Sequence, residues 1–319
     1  MAMTKLKNTF SLSDSTMNTF KECPRKYWFA RFGSWGGWEK NADARTKEIY
    51  RLKKLSGLYF WTGNRVHERI KAILQHLVET GEVLPENAQA DFLLNQLRED
   101  YRVSVKQGQG APYAKDVLHL LEHDDPSVAG VSDEKIKEVV MRAVQCVRGF
   151  YQSHVLQRLL GLTPEARKIA LVRKDDKLES LVVNVGGHDV DVFVTLDVLH
   201  THAGQHFITD WKTGKPSDKY ADQLGLYALF IMQKLGADLG KIRVLPVYLA
   251  YTPEDDAYMT PTQEHIDQAL DRIQSIGGQI VARSSADLET AEEDAFEAAP
   301  GRWKCKGCPY RRVCSDSAC

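Results

Sequence analysis

The feature that most restricts what this chain can fold into is a change of texture near Pro164. Before it, apolar residues recur at helical spacing across 66–77, 92–105 and 136–160, so residues 57–160 read as mostly helical. A loop containing Gly, Pro and Asp, between Gln107 and Val131, interrupts that pattern. After it, residues 169–172, 181–185, 190–199 and 207–210 form short β-branched-rich runs divided by Gly, Asn, His and Asp, the signature of consecutive strands. Ser217 or Asp218 then caps a helix to about Leu235, and 242–251 is a further strand. Thr260-Pro261-Thr262-Gln263 reads as a capping box, with proline in the first turn of a helix to about Ile276. At the other end, 11–32 reads as one amphipathic helix capped by Ser13 or Asp14, followed by a Gly- and Trp-rich link. This order predicts an α/β fold: a mixed central β-sheet flanked by helices, a large N-terminal helical section and a Cys-rich C-terminal tail. The expected division is an N-terminal region 1–56, a helical section 57–160, a sheet core 161–285 and a tail 286–319, all one unit.

Bulk properties narrow the function classes. The 319 residues can bury a substantial core, and 43% hydrophobic with 27% charged residues is ordinary globular composition. No apolar run reaches the length of a membrane span, and the polar N-terminus lacks the apolar core of a signal peptide, so a cytoplasmic protein is expected. A formal net charge of -1 argues against coating nucleic acid by bulk electrostatics, and leaves local basic grooves open. Six cysteines are too few for a disulfide scaffold at this length, and their crowding near the C-terminus suggests metal.

The chemistry concentrates in Thr195-Leu196-Asp197 and Ile208-Thr209-Asp210-Trp211-Lys212. Strand alternation puts Asp210 and Lys212 on one face, and a turn near 202–204 folds Asp197 back beside them. Two carboxylates with an amine suit phosphodiester hydrolysis: hard oxygens hold Mg²⁺ or Mn²⁺, and a lysine orients water and meets transition-state charge. Asp-x-Lys by itself is more often a surface hairpin with a salt bridge, so its surroundings matter. Gly63-Asn64-Arg65-Val66-His67 starts an amphipathic helix on which His67 offers a neutral imidazole. Gln223 and Tyr227, four apart, share a face of the helix after the Asp-x-Lys strand, where they can hold a phosphate or a base.

In this order, and with a thirteen-residue step from one aspartate to the other, the series resembles the RecB-like branch of the PD-(D/E)XK nucleases. The resemblance implies a restriction-endonuclease-like nuclease core, with His67, Asp197, Asp210 and the Trp211 carbonyl as ligands of Mg²⁺ or Mn²⁺. It also implies catalytic roles for Asp197, Asp210 and Lys212, and DNA contacts from Gln223 and Tyr227. Leu196 stands where the namesake motif has proline, a departure that this branch tolerates.

Cys305, Cys308 and Cys314 form C-x2-C-x5-C, and a closed site needs a fourth thiolate. Cys23, in Cys23-Pro24-Arg25-Lys26-Tyr27, and Cys319 are both candidates, and spacing alone does not separate Zn²⁺ from a [4Fe–4S] cluster. The pairing of an early Cys-Pro-Arg-Lys-Tyr with a terminal Cys-x2-Cys-Pro-Tyr-x3-Cys resembles the iron–sulfur nucleases, among them the AddB nuclease domain and the exonucleases of CRISPR adaptation. That resemblance implies Cys23 as the fourth ligand of a [4Fe–4S] cluster that staples the two ends of the chain. Arg25, Lys26, Arg302, Lys304, Lys306, Arg311 and Arg312 crowd the same site as candidates to track a strand, with Tyr27, Trp28 or Trp303 to stack on bases.

Other features read as decoys. His200, His202 and His206 fall in a hairpin turn and are expected to be exposed, and Cys146 to be a small buried hydrophobe in mid-helix. Thr213-Gly214-Lys215 lacks the first glycine and the Ser/Thr of a phosphate-binding loop, so no ATP motor is expected, and any unwinding falls to a separate helicase or other complex subunit. The leading expectation is a metal-dependent nuclease acting on DNA single strands or ends. The rival is a non-cleaving DNA-binding or scaffold subunit of a repair or defence complex, and the intact set of Asp197, Asp210 and Lys212 counts against it.

Overall fold

The computed structural model describes residues 6–125, 131–164, 180–216, 220–251 and 258–318. The expected strand at 169–172, the candidate caps Ser217 and Asp218, and Cys319 lie outside the described residues.

The N-terminal segment is not one helix. Ser11–Ser13 is a short strand, β1, and Ser13 caps α1, Asp14–Glu22, through a capping box with Thr16. The helix stops at Cys23, whose backbone is extended (φ −162°, ψ 110°). Pro24 is the cause. Its ring pushes the preceding residue out of the helical region, and its own fixed φ suits the first turn of α2, Pro24–Trp28. A π-helical turn, Phe29–Gly33, follows. The apolar period runs through this break, which is why the pattern reads as continuous.

The helical reading of 57–160 is borne out among the described residues. After α3, Ala44–Lys53, come α4, Leu58–Thr80, α5, Glu86–Gln107, the short α6, Leu121–Asp124, α7, Asp133–Gln152, and α8, His154–Leu160. Cys146 is fully buried in α7, as expected.

The α/β class also holds, but among the described residues the expected central sheet is built as two three-stranded sheets. In the first, β3, His188–Phe193, lies between β1, which runs parallel to it, and the antiparallel β2, Ser180–Val185. In the second, β5, Gln205–Lys212, lies between the antiparallel β4, Val198–His202, and the parallel β6, Ile242–Tyr248. The expected strand 190–199 is therefore two strands in two sheets, and Asp197 sits where the chain crosses between them. The parallel β5–β6 pair needs a crossover, which contains α9, Ala221–Leu235. Thr262 caps α10, Gln263–Val281, in a box completed by His265, so Pro261 stands just outside the helix, which runs past Ile276. Near the C-terminus, α11 spans Arg302–Lys306.

Strand alternation gives the β4–β5–β6 sheet two apolar faces. Ile208, Ile242 and Val244 join a core shared with the first sheet, α9 and α10, while Val198, Trp211, Leu245 and Val247 join the core of the helical section. The Trp211 ring meets Phe150 of α7 edge-on at 5.4 Å. Gly149 permits that approach, because a Cβ there would stand 1.8 Å from the carbonyl oxygen of Leu249. The N-terminal region and the tail share an aromatic cluster: Phe20, Tyr27 and Phe32 surround the fully buried Phe296, and Phe29 stacks on Tyr310 at 5.2 Å. Burying a phenylalanine stabilises by about 1.5–3 kcal/mol. Among the described residues, no helix is long and apolar enough to cross a membrane.

Candidate active site and cysteine corner

The residues singled out around the Asp-x-Lys strand meet where β5 ends. His67, two turns into the N-terminal half of α4, places Nδ1 2.9 Å from Asp197 Oδ1. The other Asp197 oxygen accepts the Trp211 backbone N–H at 2.8 Å. Asp210, 7% exposed, pairs through Oδ2 with Lys212 Nζ at 2.6 Å, and accepts the Tyr227 hydroxyl at 3.2 Å. Lys212 donates onward to Gln223 Oε1 at 2.7 Å and stands 5.0 Å from the centre of the Tyr220 ring. The chain approaches itself closely here: a Cβ on Gly63 would lie 3.3 Å from the Thr213 hydroxyl.

The two carboxylates differ in acidity. Burial pushes Asp210 up to about 6, the charge of Asp197 adds to that rise, and the Lys212 ion pair opposes it. Burial acts upward on Asp197 as well, but the hydrogen bond and charge of His67 and the Trp211 N–H outweigh it and hold the group below its ordinary value. His67 is raised: burial works against its charged form, and Asp197 overcomes that. Burial and the nearby Asp210 keep Tyr220 and Tyr227 protonated far above the usual phenol range, so the Tyr227 hydroxyl is a firm donor.

Sequence reading missed Asp14, which it took only as a helix cap. Its Oδ2 accepts Gln223 Nε2 at 3.4 Å, and its Oδ1 accepts Arg272 of α10 at 2.7 Å. Asp14 thereby fixes which way the Gln223 amide points and leaves its oxygen for Lys212. The capping box hides this role, since an Asp beside an N-cap serine already has a local explanation.

Cys23, Cys305, Cys308 and Cys314 line a single small cavity of about 30 Å³. The four are free thiols, and the Ala299 N–H points at Cys23 Sγ from 3.4 Å. Burial pushes the Cys308 thiol up to about 11, and the nearby Cys23 and Cys314 add to the rise. Among the described residues, no group of three or more His, Cys, Asp or Glu side chains is gathered in a way that could hold a metal ion.

The surrounding basic residues are mostly occupied. Arg25 is buried and ties the tail down, donating to the Phe296 carbonyl at 2.8 Å and pairing with Glu293 and Asp316. Arg311 makes a two-pronged pair with the buried Asp125, and Arg312 pairs with the fully buried Asp124, which Arg51 also grips at 2.5 Å. Lys26 pairs with Glu22. Tyr27 and Trp28 pack inward, contrary to the expected stacking role, whereas Trp303 is 79% exposed. The expectation for His200 is also overturned. It lies on β4, is 1% exposed and stacks on Phe207 with ring centres 4.8 Å apart, while His202, on the same face at the end of the strand, stays exposed.

Residues 11–315 match the family model of the PD-(D/E)XK nuclease superfamily. The chain belongs to that superfamily. The match spans the N-terminal strand, the helical section, both sheets and the cysteine tail, so these parts fall within one family pattern. Membership implies a metal-dependent nuclease, with DNA as substrate and Mg²⁺ or Mn²⁺ as the usual cofactor. No curated protein matches the sequence.

Proposed function

We propose that this chain is a RecB-like, iron–sulfur DNA exonuclease that hydrolyses single strands or DNA ends with Asp197, Asp210 and Lys212. The observation that carries the reading is the Asp210–Lys212–Gln223 chain of contacts beside the His67–Asp197 pair. Two carboxylates and an imidazole are a donor set suited to Mg²⁺ or Mn²⁺, with the Trp211 carbonyl as a further oxygen ligand. Bound there, the ion supplies Lewis acidity and a water of lowered pKa. Lys212 has three N–H donors, of which Asp210 and Gln223 take two. The third is left to orient the attacking water and to meet negative charge developing on the phosphate. Tyr227 steadies Asp210, and Gln223 steadies Lys212 and borders the strand.

A single-stranded substrate suits the surface in front of the site. Phe60 is 67% exposed and stands two helical turns, about 10 Å, before His67 on the same side of α4. An exposed ring at that spacing is a platform for an unstacked base. Cys23, Cys305, Cys308 and Cys314 fit a [4Fe–4S] cluster in their shared cavity. One zinc ion draws four thiolates in to about 2.3 Å each, whereas a cluster accepts them further apart.

Anaerobically purified protein is assayed with Mn²⁺ on single- and double-stranded DNA labelled at either end. Cleavage is expected, and is lost in folded Asp210→Asn and Lys212→Ala proteins. Metal-dependent cleavage that persists in both variants sinks the assignment. Absorbance near 400 nm with about four irons per chain is expected of the cluster. A colourless protein containing zinc overturns that part and leaves the nuclease standing.

A further inference from the structure

The β4–β5 hairpin carries a second polar cavity at the end away from Asp210. It holds about 560 Å³ and is lined by Arg158, His200, His202, Phe207, Arg243 and Tyr258, along with Gly161 and Leu162. Phe207 precedes Asp210 by three residues and faces the other side of the sheet, roughly 10 Å along the strand. The cavity is therefore separate from the carboxylate centre.

Its imidazole and guanidinium groups find few partners among the described residues. Both ring nitrogens of His200 are buried and make no hydrogen bond among the described residues. Leaving such a group unsatisfied in the interior is costly. Arg158 makes no ion pair among the described residues, its guanidinium lying over the Tyr258 ring at 4.8 Å and the Phe207 ring at 5.5 Å. Among the described residues, Arg243 gives its N–H groups only to the backbone oxygens of Gly240 and Ile242, at 2.7 and 2.8 Å. No carboxylate lines the cavity among the described residues.

This arrangement selects among ligands. A metal ion at His200 and His202 would sit beside two guanidinium groups, which repel it. An apolar ligand would leave the His200 nitrogens as orphaned as before. An anion answers both guanidinium groups, and the oxygens of a phosphoryl group match the forked donors of arginine and also reach the neutral imidazole's N–H. The volume lies in the range of small-ligand pockets and leaves room for a nucleoside beside the phosphate. We propose that this cavity is a phosphoryl-binding site, taking the phosphate of a free nucleotide or of a strand terminus through Arg158, Arg243 and His200. Burial and the charge of Arg158 hold His200 neutral, down at about 4, and an anion bound against it reverses the second effect.

The test is equilibrium dialysis of the full chain in EDTA, with inorganic pyrophosphate as the first probe. Saturable binding is expected, weakened at least tenfold in Arg243→Ala and Arg158→Gln proteins and in His200→Phe, and kept in Lys212→Ala. Arg243 bonds only nearby backbone, so its variant stays folded and keeps the test decisive if the buried substitutions disrupt the chain. Twelve-residue oligonucleotides with 5′-phosphate, 3′-phosphate or hydroxyl ends, and a deoxynucleoside monophosphate, then separate the two sources. Tighter binding of one phosphorylated end assigns the site to a strand terminus, and binding of the monophosphate alone assigns it to a free nucleotide. Absent pyrophosphate binding, or binding that survives Arg243→Ala and Arg158→Gln but disappears in Lys212→Ala, overturns the proposal.

Discussion

The two ends of the β4–β5 hairpin make opposite use of polar side chains. At the β5 end, Asp197 is held by His67 and the Trp211 N–H, and Asp210 by Lys212 and Tyr227. At the other end, the His200 nitrogens have no hydrogen-bond partner, and the arginines have no carboxylate partner among the described residues. The acidic end supplies its own counterions, and so keeps its geometry before any cation arrives. The cationic end supplies none, and its unsatisfied groups are a standing cost that an external anion can remove. One end is organised for chemistry and the other is poised for capture.

This contrast can be broken at either end. The largest effect is expected from Asp197→Ala, which strips partners from His67 and the Trp211 N–H together and lowers cleavage of end-labelled DNA by about 10²–10³-fold. Activity close to that of the parent would show that the pairing is only structural. At the cationic end the sign reverses: His200→Phe is expected to raise unfolding stability by about 1–3 kcal/mol at pH 7, measured in urea, because it removes two orphaned nitrogens. The pH dependence sharpens this. His200 is depressed from 6.5 to about 4, so the unfolded chain binds the extra proton between those values. Stability linked to His200 is therefore complete above about pH 6.5 and drains away as pH falls toward 4, and the gap between parent and variant widens over that window. A gap that stays constant from pH 7 to 4.5 argues that His200 is not buried neutral.

A smaller effect is expected from Asp14→Ala, which frees the Gln223 amide to turn and lowers kcat about tenfold, worth about 1.4 kcal/mol, with little change in KM. Partial recovery in Asp14→Asn and a shift of the alkaline limb of the pH–rate profile distinguish positioning of Lys212 from mere support. The smallest is Arg243→Ala, where stability should move by no more than about 0.5 kcal/mol, since the side chain has only local backbone to lose.

What the sequence made legible was local. Asp210 and Lys212 share a face because strands alternate, and Gln223 and Tyr227 share one because helices turn every 3.6 residues. Their meeting could be anticipated because short connections leave few ways to fold β4 onto β5. The break at Cys23 was written in Pro24, yet the unbroken apolar period outweighed it. The split of 190–199 was hidden for a different reason: residues 194–197 keep the apolar texture of a strand while the chain changes sheets, and only distant pairing partners decide where that happens. The burial of His200 depends on Phe207 across the hairpin, and the working contacts of Asp14 lie 209 and 258 residues away, on Gln223 and Arg272. No spacing rule reaches so far.

The pairing of Arg311 and Arg312 with Asp125 and Asp124 has a consequence for how damage to this protein would be diagnosed. These arginines stand between Cys308 and Cys314, and their carboxylates lie at the end of α6, in the helical section. Stripping Arg311 takes from the buried Asp125 its two-pronged partner, and stripping Arg312 leaves Asp124 to Arg51, so either change weakens the hold of the tail on the helical section. A lesion in the cysteine segment would then surface as protease cutting or hydrogen exchange around residues 108–125, far along the chain from its origin. An investigator mapping such a fault by where the chain first comes loose would blame the wrong segment.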